Sequence, residues 1–141
     1  MKNVAYKVMG QWILVTYDTS PPTDDEAREL LTIFRTIDLQ RTRMLIVTKG
    51  GAPTTAQRKD INDFLQGRFF QAAVVCDVLT VRGIVTAMSW FNTGIKSFTS
   101  AEFESAMRYL GIPEIQFEVV RREVVKLQSA LVVPRTSRSK A

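Results

Sequence analysis

The sequence predicts an α/β fold, with one domain built on a mixed, mostly parallel sheet of about five strands and helices packed on it. Short apolar runs that are typical of strands alternate along the chain with segments whose apolar residues recur every three or four positions. Helix-start motifs open three of those segments. The 141 residues, 45% hydrophobic and 23% charged, suit one globular domain.

The first part of the chain predicts a hairpin followed by a helix. Residues 4–8 alternate between apolar and other side chains, and "WILVTY" at 12–17 is a second strand-like run. A Gly-Gln pair between them suits a tight turn. Thr23 and Glu26 match a capping box, in which each side chain binds the other residue's backbone N–H at a helix start. Apolar residues then recur on one helix face: Ala27, Leu30, Leu31 and Phe34.

The rest of the domain repeats strand and helix. The apolar runs at 44–47 and 72–76 predict strands buried on both faces, and "GIKSF" at 94–98 predicts a shorter strand. Thr99 and Glu102 match another capping box before the fourth helix. The predicted inner faces of the second, third and fourth helices are Ile61, Phe64 and Leu65; Val81, Ile84, Val85 and Met88; and Phe103, Ala106, Met107 and Leu110.

The chain ends in a segment that we predict to be an amphipathic helix. Gly111 and Pro113 form a helix stop, which puts the domain at 1–112, the helix at 113–132 and a disordered basic tail at 133–141. Three roles stay open for the helix: packing on its own domain, self-association into a homodimer or larger scaffold, and binding at a membrane surface. Its apolar residues at near-heptad spacing are Phe117, Val120, Val124, Leu127 and Leu131.

The residue types present argue against most kinds of catalysis. The chain has no histidine, which is the commonest general base and metal ligand. We therefore expect no enzyme activity, no metal and no cofactor. The single cysteine, Cys76, lies in the apolar run "AAVVCDV" and is predicted to be an inert core residue.

The net charge of +5 does not by itself predict nucleic-acid binding. Residues 1–112 carry 13 basic and 11 acidic side chains, so their charge is nearly balanced. The excess lies in 113–141, which carry 6 basic and 3 acidic side chains. No apolar run reaches the roughly 18–20 residues that span a bilayer, and the N-terminus lacks the apolar core of a secretory signal. We expect a cytoplasmic protein that binds no nucleic acid and does not span a membrane.

The loop "VTKGGAPTTAQRKD" at 47–60 is the main candidate functional site. It lacks the lysine of a nucleotide-binding P-loop, which excludes that kind of site. Thr54 and Gln57 match a capping box, which leaves Thr55 the freer hydroxyl. Two interpretations stay open: an ordinary helix start, or an anion and partner site whose hydroxyl is phosphorylated. The candidate partner or anion contacts are Lys49, Gly50, Gly51 and Arg58.

An aromatic pair, Trp90 and Phe91, is the second candidate site. The two rings either cover the core or line a pocket for a small apolar ligand or lipid beneath the third and fourth helices. A carrier of such a ligand is therefore an alternative to a protein-interaction module, as is an oligomeric scaffold assembled through the C-terminal helix.

The segment "AMSWFNTGIKSFTSAEFESAMRYLG" at 87–111 carries a family resemblance. Together with the order of elements over 1–112, it resembles the STAS domain, in the SpoIIAA-like branch of anti-sigma-factor antagonists. That branch typically ends with an apolar helix, a Trp/Leu-Phe-Asn turn, a short "I-[KR]-x-F" strand and a capped helix ending in Tyr-Leu. The resemblance implies a bacterial, non-enzymatic regulator that binds a protein partner, such as an anti-sigma factor or a kinase-like regulator.

The resemblance also implies a site. In that family a kinase-type partner phosphorylates a serine of an Asp-Ser-Ser-Gly loop at the start of the second helix, and phosphorylation changes which partner is bound. Thr54 and Thr55 fall at the serine positions, although this chain has no Asp-Ser-Ser-Gly sequence and Pro53 stiffens the approach. The resemblance thus implies partner binding through 49–65, with Thr55 or Thr54 as the phosphorylation site or switch.

Overall fold

The computed structural model describes the backbone of residues 2–89 and 92–139, and side chains as far as residue 131. Two single-turn 3-10 helices lie at Ser100–Glu102 and Glu114–Gln116. The strands are β1 (Val4–Met9), β2 (Trp12–Tyr17), β3 (Arg43–Thr48), β4 (Gln71–Val75) and β5 (Ile95–Phe98). The helices are α1 (Asp24–Phe34), α2 (Thr55–Leu65), α3 (Leu79–Ser89), α4 (Phe103–Tyr109) and α5 (Phe117–Ser139).

The five strands form one sheet in the order in which they occur in the chain, β1-β2-β3-β4-β5. The hairpin strands β1 and β2 are antiparallel, and each later strand is parallel to its predecessor. The predicted mixed, mostly parallel five-stranded sheet is therefore confirmed. Each parallel connection runs through one helix, as the alternating sequence pattern predicts.

The helices cover both faces of the sheet. Successive strand residues point to opposite faces, so Ile13 packs towards α1, α2 and α3 while Leu14 packs towards α4 and α5. Leu14, Leu45 and Ala73 lie side by side on the α4–α5 face, and each is fully buried. Burial on both faces explains why the central strands appear in the sequence as continuous apolar runs.

The predicted capping boxes are present at the starts of α1 and α2, and the third, at Thr99 and Glu102, opens the 3-10 turn that precedes α4. Glu26 donates its backbone N–H to Thr23 Oγ1 at 3.1 Å, and its carboxylate accepts the Thr23 N–H at 2.9 Å. The same reciprocal pair joins Thr54 and Gln57, at 3.2 and 2.9 Å. An N-cap of this kind stabilises a helix by about 1 kcal/mol, which fixes where α1 and α2 begin.

The C-terminal helix belongs to the same folded unit as the sheet. Its apolar stripe packs against β1 and β2, with Val120 and Val124 buried in the core of the α4–α5 face. Ion pairs join Lys7 to Glu123 and Glu104 to Arg121 at its edges. The stripe proposed above for self-association, Phe117, Val120, Val124, Leu127 and Leu131, is covered by the chain's own sheet or partly buried beside it.

The bounds of this last segment also differ from the prediction. The helix begins at Phe117 after a 3-10 turn, not at 113, because Pro113 has an extended backbone and precedes that turn. Its backbone continues to Ser139, into the range 133–141 for which the sequence predicts a disordered tail. Residues 140 and 141 lie outside the described residues.

The end of α4 is fixed by a shared carbonyl. Gly111 has φ +73°, the left-handed conformation expected of a helix-ending glycine. The preceding carbonyl, of Leu110, accepts hydrogen bonds from the Trp12 indole at 3.1 Å and from the Arg43 guanidinium at 2.7 Å. The two side chains bind this helix end to the amino-terminal edge of the sheet.

Candidate functional site

The candidate loop leaves the carboxyl-terminal edge of the sheet, where β3 ends at Thr48. The Thr48 hydroxyl donates to the Gly51 carbonyl at 2.5 Å and accepts the Gly50 N–H at 3.1 Å. This tight turn has φ +135° at Gly50, a conformation that residues with a Cβ rarely adopt. The two glycines therefore serve a sharp change of direction, as the sequence suggests.

Gly51 is held against the end of β2. It is buried, and its N–H donates to the Asp18 carbonyl at 2.8 Å. A Cβ placed there would lie 2.2 Å from the Ser20 carbonyl oxygen, which is too close for any side chain. The loop is thus fixed to the neighbouring connection by close backbone contact.

Gln57 makes hydrogen bonds beyond those of its capping box with Thr54. Its side chain is 5% exposed, and its amide nitrogen donates to the Pro22 carbonyl at 2.9 Å and to the Asp24 carboxylate at 3.0 Å. These bonds link the first turn of α2 to the start of α1. The capping box predicts the local contact only, because the other two partners lie more than 30 residues away in the chain.

Thr55 and Arg58 lie together on the outer side of this helix start. Thr55 is exposed, and Arg58 Nη2 donates to its hydroxyl at 3.1 Å. Arg58 Nη1 also donates to the Pro53 carbonyl at 2.6 Å, which holds the guanidinium over the first turn. Lys49 is exposed at the loop's beginning. The structure therefore brings the predicted Thr55 and Arg58 into direct contact.

Two exposed apolar residues border the loop, and no motif in the sequence marks them. Val78 lies beside Gly50, its Cγ2 being 3.7 Å from the position of a Cβ there. Leu79, the first residue of α3, is 79% exposed. Both follow β4, so they lie at the same sheet edge as the loop after β3. In the sequence, Val78 and Leu79 look like the end of the preceding strand. Only the parallel pairing of β3 and β4 indicates that they lie beside the loop that follows β3.

An apolar cavity of about 90 Å³ lies beneath α2 and α3. Its walls come from the sheet and from α1, α2 and α3, including the half-buried Ile61, Ile84 and Met88. The predicted pocket beneath the third and fourth helices is therefore wrong in its placement, since α3 and α4 lie on opposite faces of the sheet. The aromatic pair proposed to line it, Trp90 and Phe91, lies outside the described residues.

The ionisable groups near this sheet edge form structural contacts. Asp77 accepts the backbone N–H of Ser100 at 2.8 Å and its hydroxyl at 2.7 Å, which lowers the pKa of the Asp77 carboxyl below its usual value. Hydrogen bonds from Thr99 likewise lower the pKa of Glu102. Cys76 is buried, as predicted, and its sulfur accepts the Val78 N–H at 3.3 Å.

Within residues 2–89 and 92–139 we find no group of three or more histidine, cysteine, aspartate or glutamate side chains placed to hold a metal ion. Across the same part of the chain, no helix combines the length and apolar character needed to cross a bilayer. No protein-family model matches the chain, and no curated protein or solved structure matches it significantly.

Proposed function

We propose that the protein is a non-catalytic interaction module of the STAS, anti-sigma-factor-antagonist type, which binds a partner protein through the loop and helix at 49–65. The contact between the exposed Thr55 hydroxyl and Arg58 at the start of α2 supports this proposal most directly. The site is held by the Gly51 and Gln57 contacts, so its surface is formed before a partner arrives. A preformed surface lowers the entropy cost of association.

The surface around the loop has the mixed character of a transient protein interface. Lys49, Arg58 and Thr55 offer charge and hydrogen bonds, and Val78 and Leu79 offer exposed apolar area. Apolar contacts with a polar rim are the usual composition of such interfaces. We therefore infer that the recognised surface includes the start of α3 as well as α2.

The proposal includes phosphorylation of Thr55 as the switch. Thr54 is the weaker candidate, because modification of its hydroxyl would disturb the cap that it forms with the Gln57 N–H at the start of α2. A phosphate on Thr55 would bring roughly −1.5 to −2 charges beside the Arg58 guanidinium and the first turn of α2. Helix N-termini favour such charge. Phosphorylation would then alter the surface without unfolding the loop.

Affinity purification from the native host tests the proposal. Wild-type bait is compared with Thr55→Glu, which adds charge at the site, and with Thr55→Val, which removes only the hydroxyl. We expect one protein partner to be retained by wild type and Thr55→Val and released by Thr55→Glu. The same partner on all three baits would contradict the switch, and the absence of any specific partner would contradict the interaction module.

The alternatives drawn from the sequence receive less support. Pockets for drug-sized or lipid ligands enclose roughly 300–1,000 Å³, whereas the apolar cavity here measures about 90 Å³ and the larger groove beside it is open to solvent with polar side chains in its walls. A scaffold assembled through the α5 stripe would require that helix to leave the sheet it covers. An interaction module requires neither a larger cavity nor detachment of α5 from the sheet.

A further inference from the structure

A surface groove lies between α2 and α3, next to the apolar cavity. The groove is an open depression of about 380 Å³. Its walls are Arg58 and Asn62 from α2 and Thr80, Gly83 and Ala87 from α3. The walls are mostly small, and apart from the adjacent backbone of α3 itself no atom lies within 4 Å of the position a Cβ would take at Gly83. The two helices therefore leave an open channel between them.

The groove and the cavity share two wall residues. Ile84 and Met88 line both spaces, and both side chains are half-buried. An apolar group that enters the groove therefore contacts two side chains that also line the cavity. The cavity extends as far as Ala52 and Pro53, the residues immediately before the Thr54 cap.

The size of the cavity limits what it can accept. An engineered apolar cavity of about 150 Å³ takes up benzene, whereas this one measures about 90 Å³. It is too small for an acyl chain and suits one compact aliphatic group. The lining is apolar, so a group without hydrogen-bonding atoms fits best.

The charge of the groove indicates which chemical group should lie beside the aliphatic group. Among the described residues that line the groove, Arg58 carries the charge and none is acidic. Two of its guanidinium N–H groups serve Pro53 and Thr55, and an arginine has five. An anion beside the aliphatic group would therefore meet a cation that is already positioned.

We propose that the groove and cavity together form the anchor site for the partner: a branched aliphatic side chain fills the cavity, and a neighbouring carboxylate of the same peptide segment pairs with Arg58. This inference rests on the proposed function and specifies which chemistry the partner presents. An extended segment fits better than a free small acid because exposed Leu79 and Val78 continue the apolar surface beyond Thr80 at the groove's end.

Peptide titration of the isotopically labelled protein tests the anchor site without knowledge of the partner. The probes are blocked tetrapeptides, acetyl-Gly-Leu-Asp-Gly-amide and two controls in which leucine becomes glycine or aspartate becomes asparagine. We expect saturable chemical-shift changes at the backbone amides of Ile84, Ala87 and Met88 with the first peptide. Each control should bind at least about fivefold more weakly, since each loses one of the two contacts.

A matched pair of variants checks the location. Gly83→Leu fills the groove where the structure has space, so the helix should fold at least as well as wild type and peptide affinity should fall about tenfold. Thr86→Leu makes a similar change at an exposed α3 position outside the groove lining and should leave affinity unchanged. Arg58→Gln should abolish the preference for aspartate over asparagine.

Two results would overturn the anchor site: no saturable shift at the three amides, or equal affinity in wild type and Gly83→Leu. The outcomes also distinguish a failure of the anchor site from a failure of the proposed function. If the partner found by affinity purification still binds Gly83→Leu while Thr55→Glu releases it, the anchor site is wrong and the loop switch stands. If the peptide binds in a Gly83-dependent way but Thr55→Glu retains every partner, the switch is wrong and the anchor site stands.

Discussion

Gly51 donates its backbone N–H to the carbonyl of Asp18 at 2.8 Å, and this bond joins the connection after β3 to the connection after β2. The contact is close enough that the Cβ of any other residue would overlap the backbone at Ser20. It positions Pro53 and the Thr54 cap, and through them the exposed hydroxyl of Thr55. The geometry of the candidate site therefore depends on a residue that has no side chain.

The first prediction concerns that contact. Gly51→Ala should lower the free energy of unfolding by about 1–3 kcal/mol, because the added methyl must displace backbone atoms of Asp18 and Ser20. Gly83→Ala is the matched control and should raise it by about 0.5–1 kcal/mol, because that helical position has open space. Urea denaturation measures both. Equal effects of the two changes would show that Gly51 is not closely packed.

The second prediction concerns the packing of α5 on the sheet. Val120 is buried beneath the helix and Val125 is 58% exposed on its outer side. Val120→Ala should lower the free energy of unfolding by about 2 kcal/mol, from the lost burial and the cavity left behind. Val125→Ala should change it by less than about 0.5 kcal/mol. If both changes cost little, α5 does not pack on the sheet in solution, and its stripe becomes available for self-association.

The third prediction follows from the lowered pKa of Asp77. The folded protein holds this carboxylate with two hydrogen bonds from Ser100, so its pKa is lower folded than unfolded. The resulting stability is present above the unfolded pKa and is lost as the pH falls through the folded pKa. Asp77→Asn should therefore destabilise the protein more at pH 7 than at pH 3. Denaturation curves at the two pH values measure the difference, and a pH-independent gap would contradict the assignment.

The fourth prediction concerns the shared carbonyl at the end of α4. Trp12→Phe removes one of the two donors to the Leu110 oxygen and keeps most of the apolar contact. It should cost about 0.5–1.5 kcal/mol. In an Arg43→Met background, which removes the other donor, the same change should cost more, because the carbonyl then has neither side-chain partner. Strict additivity in this double-mutant cycle would show that the two bonds are independent.

Several features of the fold follow from short stretches of sequence. The starts of α1 and α2 are predicted by their capping boxes. In each box, two residues three positions apart bind each other's backbone N–H groups, so the signal is local: Thr23 with Glu26, and Thr54 with Gln57. The central strands are predicted because residues buried on both faces must be apolar throughout. In these places local chemistry and the final fold impose the same requirement.

Other features depend on the path of the chain in space. Nothing in the apolar spacing of α3 or α4 indicates that the two helices cover opposite faces, so a pocket placed from sequence alone falls beneath two helices that share no face. The bonds from Gln57 to Pro22 and Asp24, and the approach of Gly51 to Ser20, join segments brought together by the parallel sheet. The packing of α5 also depends on the path of the chain, because from the sequence alone its apolar stripe could cover either its own sheet or a second copy of the protein.

Site-specific photo-cross-linking in the native host tests the central claim most directly. A photoreactive amino acid replaces Lys59, exposed on α2, or Arg122, exposed on α5 at the opposite face of the sheet. An interaction module that works through 49–65 should give one specific protein adduct from position 59, none from position 122, and a weaker adduct when Lys49→Glu is added. Equal adducts from both positions, or no adduct from position 59, would contradict the account.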